Sequence, residues 1–284
     1  MFKKIFFAAA LLLASELIAK PVVIASIAPV EYLAKAVGGD KIEVQSLAKG
    51  DVHSYEPKPN DMKAVAKARI FIAAGLEFEE AWIPRFKASA KNLVVVKSDA
   101  KIAKLKEERG EQVEHDEKHE AHADPHVWLN PMLAITMARN ISDALIDMDK
   151  ANKDFYLENF QKLMNDLLAF DESAKESLAG LKNRKFVVYH PAWGYFAAHY
   201  DLEQISIERS GKEPKIDEMA STLKMIKDEN IKVIFADPNR SQKSAQILAS
   251  HTGAKVELLD PLGYNLLENL KIAVGAIKDA NSPK

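Results

Sequence analysis

Eight histidines are spread along 284 residues that contain no cysteine. A transition-metal site in such a chain must use imidazole and carboxylate, because thiolate is absent. Three of the histidines fall in short connections after apolar strand-like runs or before helices: His53 in GDVHSYEP, His126 in DPHVWLNP and His190 in VVYHPAWGYF. Asp260, in LLDPLG, ends another apolar run in the same manner. Open α/β sheets bind ligands in the crevice beyond the carboxyl ends of their strands. Ligand-type side chains at such places in both halves of the chain therefore point to one site between two lobes. Taken singly, each histidine reads better as a buried, hydrogen-bonded core residue than as a ligand, and Asp124–Pro125 and Asp260–Pro261 are ordinary turn formers. On the residues alone both readings stand, and the recurrence is what favours a metal. His199 and His251 lie in polar, helix-period stretches and read as solvated surface residues.

The elements that must position these side chains alternate short β-branched runs with helix-period segments, the pattern of βαβ units around mostly parallel sheet. Strands are expected at 22–26, 42–47, 70–74 and 93–96 in the first half. In the second half they are expected at 186–189, 233–236 and 256–259, with a weaker run near 204–207. The halves thus share a layout. Between them Phe160, Leu163, Leu167, Phe170, Ala174, Leu178 and Leu181 recur at three- and four-residue steps, the mark of an amphipathic helix. Asn152 is the expected N-cap and Gly180 the expected stop. Such a helix is ~40 Å long at 1.5 Å per residue, enough to run down the backs of both lobes and limit their swing. The division expected is a lobe over 20–150, a linking helix over 151–181 and a second lobe over 182–284.

Residues 107–124, EERGEQVEHDEKHEAHAD, hold eight acidic residues, the three histidines His115, His119 and His122, and almost nothing apolar. Such a stretch cannot bury enough surface to fold alone and reads as a solvated insertion. At the start, Lys3 and Lys4 precede an apolar run from Ile5 to Leu13, and Ala19 supplies a small residue for cleavage. Residues 1–19 read as a secretory signal peptide, although Leu17 stands where a small residue is preferred. The run is too short for a bilayer, which needs about 20 apolar residues. A net charge of −2 gives no reason to expect nucleic acid as a partner.

The motifs GDVHSYEPKPNDM, DPHVWLNP, YHPAWGYF, IFADPNRS and LLDPLG together resemble, in order and spacing, the substrate-binding proteins of zinc and manganese ABC importers, and specifically the zinc-uptake branch. The resemblance covers essentially the whole mature chain. It implies two α/β lobes, each a mostly parallel sheet flanked by helices, joined by a long backbone helix with the metal in the cleft. It implies His53 and His126 from the first lobe, and His190 and Asp260 from the second, as ligands, with water as the alternative to Asp260. A carboxylate usually replaces His190 in the manganese-binding members, and imidazole suits Zn(II) better than Mn(II). The expectation is a monomeric periplasmic protein that captures Zn(II) and delivers it to an inner-membrane ABC permease. His115, His119 and His122 would form a secondary zinc site or remain plain solvated residues. Val52 departs from the family, which often has proline there.

Three rival readings remain. Mn(II) or Fe(II) cargo is the alternative within the same importer class. A zinc hydrolase also uses three histidines with an exchangeable fourth position, but no HExxH helix is present, and Glu56 is the only glutamate near a candidate ligand. An adhesion module would need a repeat or exposed apolar surface, and none is evident. Trp128, Trp193, Tyr195 and Phe196 read either as an apolar wall of the site or as plain core.

Overall fold

The structure, a computed structural model, describes residues 20–106, 123–208 and 214–281. Residues 1–19, expected to be a signal peptide, and the histidines His115, His119 and His122 lie outside the described residues. The first lobe contains β1 (Val22–Ala25), α1 (Ala28–Gly38), β2 (Glu43–Ser46), α2 (Pro59–Val65), β3 (Ile70–Ala73), α3 (Glu77–Ser89), β4 (Val94–Lys97) and α4 (Pro131–Met148). The helix α5 (Lys153–Ala179) follows. The second lobe has β5 (Lys185–Val188), α6 (Gly194–His199), β6 (Glu203–Ser206), α7 (Ile216–Asp228), β7 (Val233–Ala236), α8 (Lys243–Thr252), β8 (Lys255–Leu258) and α9 (Leu266–Asn281).

Each lobe is a four-stranded, wholly parallel sheet, ordered β2-β1-β3-β4 in the first and β6-β5-β7-β8 in the second. Parallel sheets require covered faces, so their central strands run apolar throughout. The β3 sequence IFIA and the β7 sequence VIFA are buried at every position. Side chains alternate across the second sheet, as the two-residue strand period demands. Phe186, Val188 and Phe235 join the main core, while Val187, Ile234 and Ala236 pack with Ile226, Ala245 and Leu248 beneath α7 and α8. The main core continues without a break from the first lobe to α9.

The helix α5 buries Tyr156, Phe160, Leu163, Leu167, Phe170, Ala174 and Leu178 and packs against α1, α4 and α9. The leucines and phenylalanines among them each contribute about 1.5–3 kcal/mol by leaving water. At 27 residues the helix is ~40 Å long. It is bonded to both lobes: Asn159 Nδ2 donates to Val37 O at 3.0 Å, and Asp171 Oδ1 lies 2.6 Å from His199 Nε2. His199 is therefore a lobe-to-helix contact rather than the solvated residue its polar neighbours suggested. Asn152 does occupy the N-cap position, but its side chain caps nothing there and donates instead to Asp149 Oδ2 at 2.7 Å. The stop at Gly180 is as expected.

Candidate metal centre

Each of the three candidate histidines is set by an aspartate two residues before it or by a carboxylate just beyond the adjacent strand. After β2, Gly50 takes a positive φ of 78°, which glycine adopts without a steric cost. Asp51 then accepts the N–H of His53 at 3.2 Å and the hydroxyl of Ser54 at 2.9 Å. Asp124 Oδ1 repeats the turn ahead of α4, accepting the N–H of His126 at 2.9 Å and standing 2.7 Å from its Nδ1. The chain then makes one tight turn, Val127–Leu129, before Asn130 caps α4 by accepting from Met132 N and Leu133 N. Pro131 is the first residue of that helix, where its missing N–H costs nothing. His190 follows β5, and Glu208 Oε2, just beyond the adjacent β6, lies 3.1 Å from its Nδ1.

These segments bring three imidazoles together. Ligand nitrogens of His53, His126 and His190 all lie within 4.8 Å of one another, and the ring centroids are 5.0–5.3 Å apart. The Nε2 atoms of His126 and His190, from opposite lobes, are 3.4 Å apart. Zinc–nitrogen bonds of 2.0–2.1 Å in a tetrahedron separate two nitrogens by ~3.3 Å, so this pair is already at ligating distance. Carboxylates on Nδ1 of both rings direct Nε2 inward, the carboxylate–histidine arrangement of metal sites. His53 Nε2 is buried and lacks a hydrogen-bond partner. Most buried polar atoms are hydrogen-bonded, and an unpartnered imidazole nitrogen grouped with two other imidazoles fits the donor set of a metal site.

Burial, then the neighbouring His126 and Arg240, lowers the His53 imidazole to about 4. Burial, followed by His126, Arg240 and His53, holds His190 well below its ordinary range. Both rings are therefore neutral at physiological pH, the form that binds metal.

Asp260 is half-buried and is not drawn into the group of three. Its Oδ1 accepts Leu262 N and Asn239 Nδ2, each at 2.9 Å. Asp237, next after β7, lines a small cavity with His53, His126 and His190 and makes the same i to i+2 turn, accepting Asn239 N at 2.7 Å. The supports Asp51, Asp124, Glu208, Asp237 and Arg240 were not picked out from the sequence. The doubled spacing Asp-x-His, at Asp51–His53 and Asp124–His126, was a signal that marks two of them. Glu208 and Arg240 reach the site through the fold alone.

The four aromatic residues divide between wall and core. Trp128 is fully buried with its ring 5.3 Å from that of His126, and its Nε1 donates to Pro261 O of the other lobe at 2.8 Å. Trp193 lines a small cavity with His190. Tyr195 is a brace: its hydroxyl donates to Asp124 O at 2.7 Å and accepts from Leu105 N at 2.8 Å. Phe196 stacks on Trp193 and Tyr200 and is core. Glu56, the one candidate base of a hydrolase, is exposed.

The model of the family described as zinc-uptake complex component A, periplasmic, matches residues 23–280. The chain belongs to this family. Among curated relatives, the high-affinity zinc uptake system protein ZnuA of Bacillus subtilis (strain 168) is 30% identical over 279 residues, 91% of this chain and 86% of that protein. Among solved structures, a crystal structure of ZnuA superposes with a TM-score of 0.87 at 35% identity, covering 93% of this chain and all of the other. A zinc-bound deletion mutant of ZnuA gives 0.85 at 34% identity over 93% and 99% of the two chains. The two-lobed fold expected for this family is the one observed, sheet for sheet.

Proposed function

We propose that this protein captures Zn(II) in the cleft between its lobes and delivers it to an ABC-type importer. The observation that carries the proposal is the convergence of three imidazoles from two lobes, with Nε2 of His126 and His190 3.4 Å apart across the cleft. Membership of the zinc-uptake family and likeness to a zinc-bound structure support the cargo. Three nitrogens suit Zn(II), whereas Mn(II) favours oxygen. His53, His126 and His190 are the proposed ligands. Asp260 is the proposed fourth, acting through Oδ2 while the bonds on Oδ1 orient it, with water as the alternative. Ligands from both lobes make the ion favour the closed cleft. Delivery then requires an inner-membrane permease that separates the lobes, with residues 1–19 serving as the export leader and the mature protein working as a monomer in the periplasm. The lobes proposed are 20–150 and 182–284, with 151–181 linking them.

Metal analysis of protein purified from its own compartment, without added metal, tests the reading. Near-stoichiometric zinc is the expected result. Manganese or iron in its place would move the cargo to the alternative within the same importer class.

A further inference from the structure

The guanidinium of Arg240 stands between the two lobes. Nη1 donates to Glu208 at 2.8 and 3.1 Å, and Nη2 donates across the cleft to Asp51 Oδ1 at 3.0 Å. Nε lies 3.8 Å from Asp237 Oδ2. Glu208 is the carboxylate that orients His190, and Asp51 is the one that fixes the turn of His53. One cation therefore joins the supports of two ligands that belong to different lobes. The Glu208 arm is dry, with side-chain exposures of 14% and 3%, whereas Asp51 is 38% exposed. The weaker arm is thus the one that crosses the cleft and meets solvent. A planar guanidinium can serve two carboxylates at once, which a lysine ammonium does with far poorer geometry. Two further hydrogen bonds that cross here, Trp128 to Pro261 O and Tyr195 to Asp124 O, are neutral and buried.

We propose that Arg240 is a positioning residue that clasps the two lobes without help from metal, and that breaking its Asp51 arm loosens zinc by freeing the supports of His53 and His190 from each other. The release step rests on the zinc-delivery reading; the clasp does not. Separating the lobes breaks the solvent-facing arm and leaves the dry one intact, so Arg240 travels with Glu208 and the second lobe. Zinc loses its fixed geometry at the His53 side first.

The chain has no cysteine, so Lys63→Cys and Gln246→Cys, both at exposed positions, place one spin label on each lobe. Double electron–electron resonance on the metal-free protein should give a single narrow distance population. Asp51→Asn keeps an acceptor for the His53 N–H but removes the charge facing Arg240, and should broaden that population. Arg240→Lys keeps the charge but loses the fork, and should broaden it as well. Zinc release into excess chelator should quicken about tenfold in both variants, as for loss of an outer-shell partner. Should Arg240→Lys fail to fold, Asp51→Asn alone decides. A variant with the parental distance population, or with release within twofold of the parent, overturns the proposal. If the parent took up no zinc, the transport reading would fail, while the distance measurement would still judge the clasp.

Discussion

Replacing Asp124 by asparagine isolates the value of orienting a single imidazole. Asp124 is 6% exposed, and its Oδ1 serves both the backbone N–H and the Nδ1 of His126, at 2.9 and 2.7 Å. Asparagine at this position retains an acceptor for the turn but carries no charge, so the short contact on Nδ1 becomes an ordinary hydrogen bond. Charged hydrogen bonds contribute about 1.5–3 kcal/mol and neutral ones about 0.5–1.5, a difference of roughly 1–2 kcal/mol. Loss of an outer-shell partner typically weakens metal binding by about 10–100-fold, which is about 1.4–2.8 kcal/mol at about 1.4 kcal/mol per decade and overlaps that difference. The bond from Tyr195 goes to the backbone carbonyl of Asp124 and survives the change. Gly194 leaves room for this carboxylate, because a Cβ there would meet Asp124 Oδ2 at 3.2 Å. Competition titration against a chromophoric chelator measures the effect, with His126→Ala as the reference for losing the ligand itself. Asp124→Asn binding within twofold of the parent, alongside a large loss in His126→Ala, would refute the argument that this carboxylate sets ligand quality.

His53→Ala, His126→Ala and His190→Ala should each weaken zinc by more than about a hundredfold, beyond the range expected for outer-shell changes, while deletion of residues 107–123 should leave affinity nearly unchanged; the same titration reports both. Zinc at a thousandfold excess over its dissociation constant should stabilise the fold by about 4 kcal/mol, raising Tm by roughly 10 °C at 2–4 °C per kcal/mol in calorimetry. The metal-free protein should lose stability as pH falls from about 6.5 to about 4, because His53 and His190 are depressed in the folded state and the unfolded chain takes up protons first. That stability is fully present above the ordinary histidine value, and denaturant titrations across the interval would show its loss. His199→Ala should cost about 1.5–3 kcal/mol of stability, as for a hydrogen bond to a charged group, through the lost contact with Asp171, read as a lower Tm with zinc affinity unchanged.

The central strands β1, β3, β5 and β7 were legible because burial on both faces writes them as short apolar runs. All eight runs became strands, including the weaker one at β6. The stripe of α5 was equally plain, since Phe160 to Leu178 keep the helical period over five turns. The three imidazoles were found because each sits at a strand end or helix start, a place the pattern itself marks. What escaped depended on contacts between distant segments. Glu208 is 18 residues from His190, and Arg240 is 189 from Asp51, so no local spacing announces either pair. His199 was misread for the same reason, its partner lying 28 residues away on α5.

Four aspartates around the cleft, Asp51, Asp124, Asp237 and Asp260, each fold their own chain by accepting the N–H two residues on. Three of them are followed by proline, whose ring fixes φ before any ion arrives. The receptacle is thus shaped by backbone chemistry, unlike a zinc finger, which unfolds when stripped. A carrier built this way survives being emptied, so one molecule can be refilled and discharged many times over, and little of the affinity of its cargo is consumed in rebuilding the vessel.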